Sequence, residues 1–433
     1  MQKRYNILFL FVCLFFVFEA KSQYTMSSPY SRYGIGTTDV AKNQYISSMG
    51  SVSQALRKNN LVNFQNPASY TAVDTQSFVF DIGFSMMWKN LSSQELHSSS
   101  FLSSLTNIAM AFPLSKSLKV AVGLTPLSDV SYSASDTLIS GADINDADYI
   151  PTYSESFDAS GGLDKLTFGL AYQPLFNAFL SRFSIGFNLS YVFGNLYYSS
   201  LVDFAGAQGY LNGRAERNYN VSAFDFDLGL QYIQPLKNGD NLTLGLTLGL
   251  PSTYSADEEY FRYTFINSGS AATMQDTVEY GNSSTDIDMP LSIAGGISYE
   301  RHNKFFIGAD VAYTKWSDFS FVQNFTELKD NLKLSFGTEF IPNIYGSYLQ
   351  KISYRLGMNY DNGYIYLNQK RLSKMGVSCG LSIPIKKLGT NINLSFECGK
   401  MGTTDNDLMR ENYYSLGLSI TAKDRWFVKR KYR

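Results

Sequence analysis

From Ser77 to Ile420 the chain alternates apolar and polar residues in one run after another. Phe78, Phe80, Ile82 and Phe84 fall on one side of the first run, and Val79, Asp81 and Gly83 on the other. Phe183, Ile185, Phe187, Leu189, Tyr191 and Phe193 alternate with Ser184, Gly186, Asn188, Ser190 and Gly194. Leu242, Leu244, Leu246, Leu248 and Leu250 do the same with Thr243, Gly245, Thr247 and Gly249. Successive side chains of a strand point to opposite faces, so each run reads as a strand with one greasy face. A soluble sandwich alternates as well. Runs of about 9–13 residues, however, suit a tilted membrane strand better than a sandwich strand. The polar face also carries Asp81, Lys165, Asp225, Asp227, Asp310, Lys333, Glu339, Arg355 and Glu397. A dry core rejects such charges, whereas a hydrated lumen accepts them.

The pattern predicts fourteen strands, over 76–89, 101–113, 117–127, 162–174, 181–195, 221–236, 240–251, 289–300, 303–314, 331–341, 350–360, 372–385, 390–400 and 411–421. Links after even-numbered strands are short, and Pro113, Pro174, Pro235, Pro342 and Pro384 stand at or near their entries. The other links are mostly longer, above all 128–161, 196–220 and 252–288. Short turns on the side of both chain ends and long loops opposite is the outer-membrane rule. The fold class is therefore all-β, a fourteen-stranded antiparallel transmembrane barrel in a bacterial outer membrane. Aromatics at 15% and charged residues at 17% agree with an aromatic-girdled barrel, and a net charge of −1 gives no pull toward nucleic acid.

Lys3 and Arg4, an apolar run from Ile7 to Phe18 and Ala20-Lys21-Ser22 make residues 1–22 a secretory signal. Residues 23–75 show no sustained period, yet Tyr30, Tyr33, Leu61 and Phe64 argue that the segment is packed. A plug inside the barrel fits, with the barrel itself at 76–421 and a basic periplasmic tail at 422–433. In this plug Asn66 can cap a short helix or turn, and Pro67 suits its first position.

The signal, the Gly-containing segment ending in Asn66-Pro67-Ala68 and the fourteen strands resemble the FadL/TodX-type family of outer-membrane transporters of hydrophobic compounds. Asp288-Met289-Pro290-Leu291, Trp316-Ser317-Asp318-Phe319, Leu334–Phe340 and Tyr354-Arg355-Leu356-Gly357 carry the likeness toward the C-terminus. The opening Ser28–Gly36 is similar in style to such proteins in Bacteroidetes. The resemblance implies an N-terminal hatch inside the lumen, held by Asn66, Pro67 and Ala68, with Tyr30, Tyr33 and Phe64 packing it or meeting ligand. It implies passive uptake of hydrophobic small molecules, long-chain fatty acids or aromatics, by a monomer amid outer-membrane lipid and lipopolysaccharide. A kink in the third strand opens the wall in that family. Here Gly123 and Pro126 weaken the ladder, although Pro126 could instead end the strand at its outer rim. The alternative function is a non-transporting structural or secretion-associated barrel with a periplasmic or envelope protein partner, contacted through the basic tail.

No enzyme, cofactor or metal centre is expected. His97 and His302 fall at opposite ends of the barrel, and no phosphate loop or Cys/His cluster exists. Acidic residues crowd the long loops: Asp136, Asp143, Asp146, Asp148, Glu155 and Asp158 in one, Asp257, Glu258, Glu259, Asp276, Glu279, Asp286 and Asp288 in another. They read as solvated surface, with divalent-cation binding as the alternative. Cys379 and Cys398 fall on the apolar face of adjacent strands, and a hairpin centred on Leu388-Gly389 sets them opposite each other. Two lipid-facing thiols are expected, a bridge between them being the other outcome.

Overall fold

The computed structural model describes residues 28–38, 43–94, 97–138, 151–204, 209–236, 239–268, 271–323, 326–385 and 390–425. The strands are β1 (Ser77–Ser92), β2 (His97–Pro113), β3 (Leu118–Leu138), β4 (Tyr153–Tyr172), β5 (Phe183–Asp203), β6 (Asn212–Pro235), β7 (Asn241–Gly249), β8 (Ser252–Ser268) and β9 (Ala271–Met289). They continue as β10 (Ser292–Arg301), β11 (Phe305–Thr314), β12 (Asn331–Phe340), β13 (Ser353–Asp361), β14 (Tyr366–Leu367), β15 (Lys370–Arg371), β16 (Lys374–Ile385), β17 (Thr390–Met401) and β18 (Arg410–Arg425). All but β8, β9, β14 and β15 form a closed 14-stranded antiparallel barrel in which β1 pairs with β18. Each of the fourteen expected strands is one of these staves.

The greasy faces point outward. Leu166, Phe168 and Leu170 on β4, Leu244 and Leu246 on β7, and Leu356, Met358 and Tyr360 on β13 are all exposed on the outer surface. Their neighbours in sequence point into the lumen, where Asn188, Gln231, Glu339, Arg355 and Glu397 are buried. A polar interior inside an apolar jacket is the arrangement that lipid selects for a closed sheet.

The expected long loops are largely strand. β3 to β6 run 20–24 residues, against 9–10 for β7 and β10–β13. One side of the wall therefore rises far above the other. The outer half of β6 pairs with β8 at Asn212–Ser222, while its inner half pairs with β7 at Asp227–Pro235. The segment 252–288 is thus most of a two-stranded extension of the wall, and its acidic residues line strands rather than an irregular loop. Beneath the tall side Val130, Tyr132, Leu196, Tyr219, Tyr254 and Ile287 pack with Trp316, Phe319 and Phe321 in one cluster. Asp143, Asp146, Asp148, the signal at 1–22 and tail residues 426–433 lie outside the described residues. Residues 422–425 are not tail, because they extend β18 against Ser77–Phe80 of β1.

Cys379 and Cys398 share a face but are not opposed: Cys379 stands against Phe396 and Cys398 against Val377. The turn is centred one residue earlier than expected, since Ile385 pairs with Thr390. That moves each partner by two places and keeps its face. Both thiols are free. Alkylation of the protein denatured without reductant should therefore add one adduct to each thiol of β16 and β17; a disulfide mass would contradict the register.

Candidate functional site

Residues 43–72 wind around the inside of the wall, and wall glycines set how closely. A Cβ added at Gly417 of β18 would stand 1.8 Å from Gln44 Oε1, and at Gly380 of β16 2.4 Å from Ser48 Cβ. At Gly357 of β13 it would stand 2.1 Å from the Gly50 nitrogen, and at Gly337 of β12 2.3 Å from the Met49 carbonyl. On β7 the Gly245 position meets the Gln54 carbonyl at 1.9 Å, and on β5 Gly186 meets the Pro67 carbon at 2.3 Å. Taken in the order of neighbouring staves, these contacts trace the hatch from β18 round to β5. At Gly357, Gly337, Gly245 and Gly186 the atom met is main chain, and only a residue without a side chain admits another backbone at such distances.

Polar groups complete the seat. Asp310 Oδ2 accepts from the backbone nitrogens of Ser53 (2.6 Å) and Gln54 (2.9 Å), and Ser378 Oγ accepts from Gly50 N at 2.9 Å. Asp81 takes hydrogen bonds from Asn43 of the hatch (2.9 Å), from Asn107 and from Thr421. Glu339, 4% exposed, lies 2.8 Å from Arg355 Nε and 3.2 Å from Lys58 Nζ, and accepts from the Tyr45 hydroxyl at 2.6 Å. Lys58 also reaches Glu300 at 2.5 Å, and the Arg355 guanidinium stacks 3.5 Å over the Tyr45 ring. Burial works against the Lys58 ammonium, but Tyr45, Glu339 and Glu300 outweigh it and hold its pKa above the ordinary lysine value. Many charges expected to face lumen water are therefore engaged by the hatch.

The three motif residues meet the wall together. Asn66 caps the 3₁₀ helix Pro67–Ala72, its Oδ1 accepting from Ala68 N at 3.1 Å while Nδ2 donates to the Gln54 carbonyl at 2.7 Å. Gly229 and Gly186 leave the room that Asn66, Pro67 and Ala68 occupy. Phe64 sits with Val62 and Tyr70, its ring against Gly123 of β3. Tyr30 and Tyr33 are elsewhere, packed with Ile365, Leu372 and Leu408 near the outer mouth. The Tyr30 hydroxyl donates to the Met409 carbonyl at 2.7 Å, and burial pushes its pKa up to about 12. The expected packing trio is thus two separate contacts.

Pro126 does not end β3. A bulge falls between Pro126 and Ser128, and the strand continues to Leu138 against β4. Its other edge parts from β2 beyond the pair Ile108–Leu124, leaving a seam in the outer half of the wall. Residues 28–37 run along this freed edge: Thr37 and Asp129 exchange backbone hydrogen bonds at 2.8 and 3.0 Å, and Ser28 N donates to the Ser131 carbonyl at 3.1 Å. Ser28 Oγ bonds Glu411 of β18, beside Lys89 of β1. Behind the seam is a chamber of about 450 Å³ touched by Phe64, Pro126 and Leu127 but also by Lys165, Asp227 and Asp310. A second cavity of about 600 Å³ opens at the short-turn end. Sequence reasoning missed Lys58 and the seating role of the glycines, although Gly recurs on the polar face of successive runs.

The family model described as BamG matches residues 1–433. Among solved structures the chain is similar to the Pseudomonas putida toluene transporter TodX, at 16% identity and a TM-score of 0.55, covering 90% of this chain and 99% of that one. A Pseudomonas aeruginosa FadL homologue matches at 13% identity and a TM-score of 0.61, covering 91% and 99%. The Ralstonia pickettii toluene transporter TbuX matches at 13% identity and 0.54, covering 89% and 99%. No curated protein sequence matches the chain.

Proposed function

The chain belongs to the BamG family and is an outer-membrane β-barrel of FadL/TodX-type fold, and from that premise we propose that it does not transport. In this reading the hatch is a permanent plug, and the barrel is a structural or secretion-associated partner in the envelope. The observation that carries the reading is the seating of the hatch backbone on wall glycines, with Gly50 N and Gln54 O inside the space a single Cβ would need. A segment held this closely by its main chain cannot slide or swing by side-chain rotation alone. The chamber supports the same reading, because Lys165, Asp227 and Asp310 make it a poor host for an acyl chain or an arene.

A second reading, sideways passage of a hydrophobic small molecule, is favoured by the seam between β2 and β3 and by Phe64, Pro126 and Leu127 behind it. The two separate in cells depleted of the protein. A plugged partner barrel predicts falling levels of other envelope proteins with hydrocarbon and fatty-acid uptake unchanged. A selective loss of uptake, with the envelope proteome intact, would establish the channel instead.

A further inference from the structure

The cavity at the short-turn end is the periplasmic mouth of the barrel, walled by the turn Arg301–Lys304 and by residues 341–353, with the hatch as its floor. Its charges do not balance. Among the acids that line it, Glu339 is held by Lys58 and Arg355, Glu300 by Lys58, and Asp74 by Lys423. Arg301, Lys304 and Lys351 have no ion pair among the described residues. Among the described residues Arg57 is a cation hydrogen-bonded to neutral partners only, Thr71 Oγ1 at 2.8 Å, Gln231 Oε1 at 3.1 Å and the Ala68 carbonyl at 3.4 Å. Burial pulls its pKa down to about 10, with Glu300 pulling the other way. In the floor Arg355, 2% exposed, keeps a buried Nη1 with no hydrogen-bond partner among the described residues. A buried guanidinium donor left unmade is costly, and a carboxylate is the group its geometry fits best.

We propose that this vestibule binds a carboxylate-rich peptide segment of a periplasmic partner. The proposal rests on the partner-barrel reading and names the chemistry of that partner. A lipid headgroup fits less well, because the cavity lies inside the barrel wall and its lining is mostly polar, with Asn59, Asn60, Asn241, Thr243 and Asn391 outweighing Ile233, Phe305, Ile341 and Ile344. Its volume of about 600 Å³ is within the range of sites that enclose a ligand rather than a lone ion.

The test uses the full chain in detergent micelles and a fluorescein-labelled octaglutamate peptide, read by anisotropy. Saturable binding that weakens as salt rises is expected. The combined variant Arg301→Glu, Lys304→Glu, Lys351→Glu should lose roughly tenfold or more, the equivalent of three exposed ion pairs. The three residues sit on turns or beside them, and retention of the heat-modifiable folded band certifies the variant's barrel. Equal binding by wild type and variant, or no binding by either, overturns the proposal. Full displacement by inorganic phosphate at matched ionic strength also overturns it, in favour of a small-anion site. The plug reading is tested separately by uptake, so a closed barrel with an empty vestibule and an open barrel with a filled one are distinguishable results.

Discussion

Gly357→Val should unseat the hatch. The new Cβ would stand 2.1 Å from the Gly50 nitrogen and 2.2 Å from the Met49 carbon, both main-chain atoms that no rotamer change can move aside. Gly50 itself has φ +64, a conformation that ties this turn to glycine, and its nitrogen donates to Ser378 on the adjoining stave. Relief therefore requires the hatch to lift away from β12 and β13 together. Overpacking of a tight core costs about 1–3 kcal/mol, and here the lost Gly50–Ser378 bond adds about 1 kcal/mol. In planar bilayers the wild type should be electrically silent, while the variant should show long conducting bursts through the vacated lumen. Gly213→Val is the control: among the described residues nothing lies within 4 Å of the Cβ it would add, so the barrel should stay silent and equally stable. A silent Gly357→Val barrel of unchanged thermal midpoint would contradict the seating.

The second large effect is expected from Glu339→Ala. This carboxylate is the shared partner of Lys58 from the hatch and Arg355 from the wall. Its removal leaves Arg355 buried over the Tyr45 ring without its carboxylate and leaves Lys58 with Glu300 alone, and breaking a buried pair in this way costs about 3–5 kcal/mol. The midpoint of the heat-modifiable band shift should fall well below that of the wild type. Glu339→Gln, which keeps a hydrogen-bond acceptor but not the charge, should fall by less. The triple change Lys58→Met, Glu339→Leu, Arg355→Met removes the three buried charges, leaves the more exposed Glu300 to water, and should recover much of the loss, since apolar replacement of a buried ionic group is often near neutral. Equal midpoints for Glu339→Ala and wild type would mean that the ion cluster does not hold the hatch.

The staves were legible because lipid enforces a strict rhythm. Phe183 to Phe193 and Leu242 to Leu250 can be read only as strands with one greasy face. Where the wall leaves the membrane the rhythm loosens: Tyr254 and Ala256 still point inward, but Asp257, Glu258 and Glu259 follow one another and mask β8. The hatch motif was legible as a cap, and the structure has Asn66 capping the helix at Pro67. The seat was not legible. Gly245 and Gln54 lie 191 positions apart, Gly357 and Gly50 lie 307 apart, and nothing local links them. The lumen charges misled for the same reason: Asp310 looks water-facing until Ser53 N and Gln54 N are found beside it.

Hydrogen exchange of the full chain in a lipid nanodisc tests the fixed hatch most directly. The amides of Gly50, Ser53 and Gln54, bonded to Ser378 and Asp310, should exchange as slowly as the paired amides of β12 and β13. Exchange at those three positions as fast as at the exposed turn Arg301–Lys304 would contradict the account, because the segment would then be leaving the wall on its own.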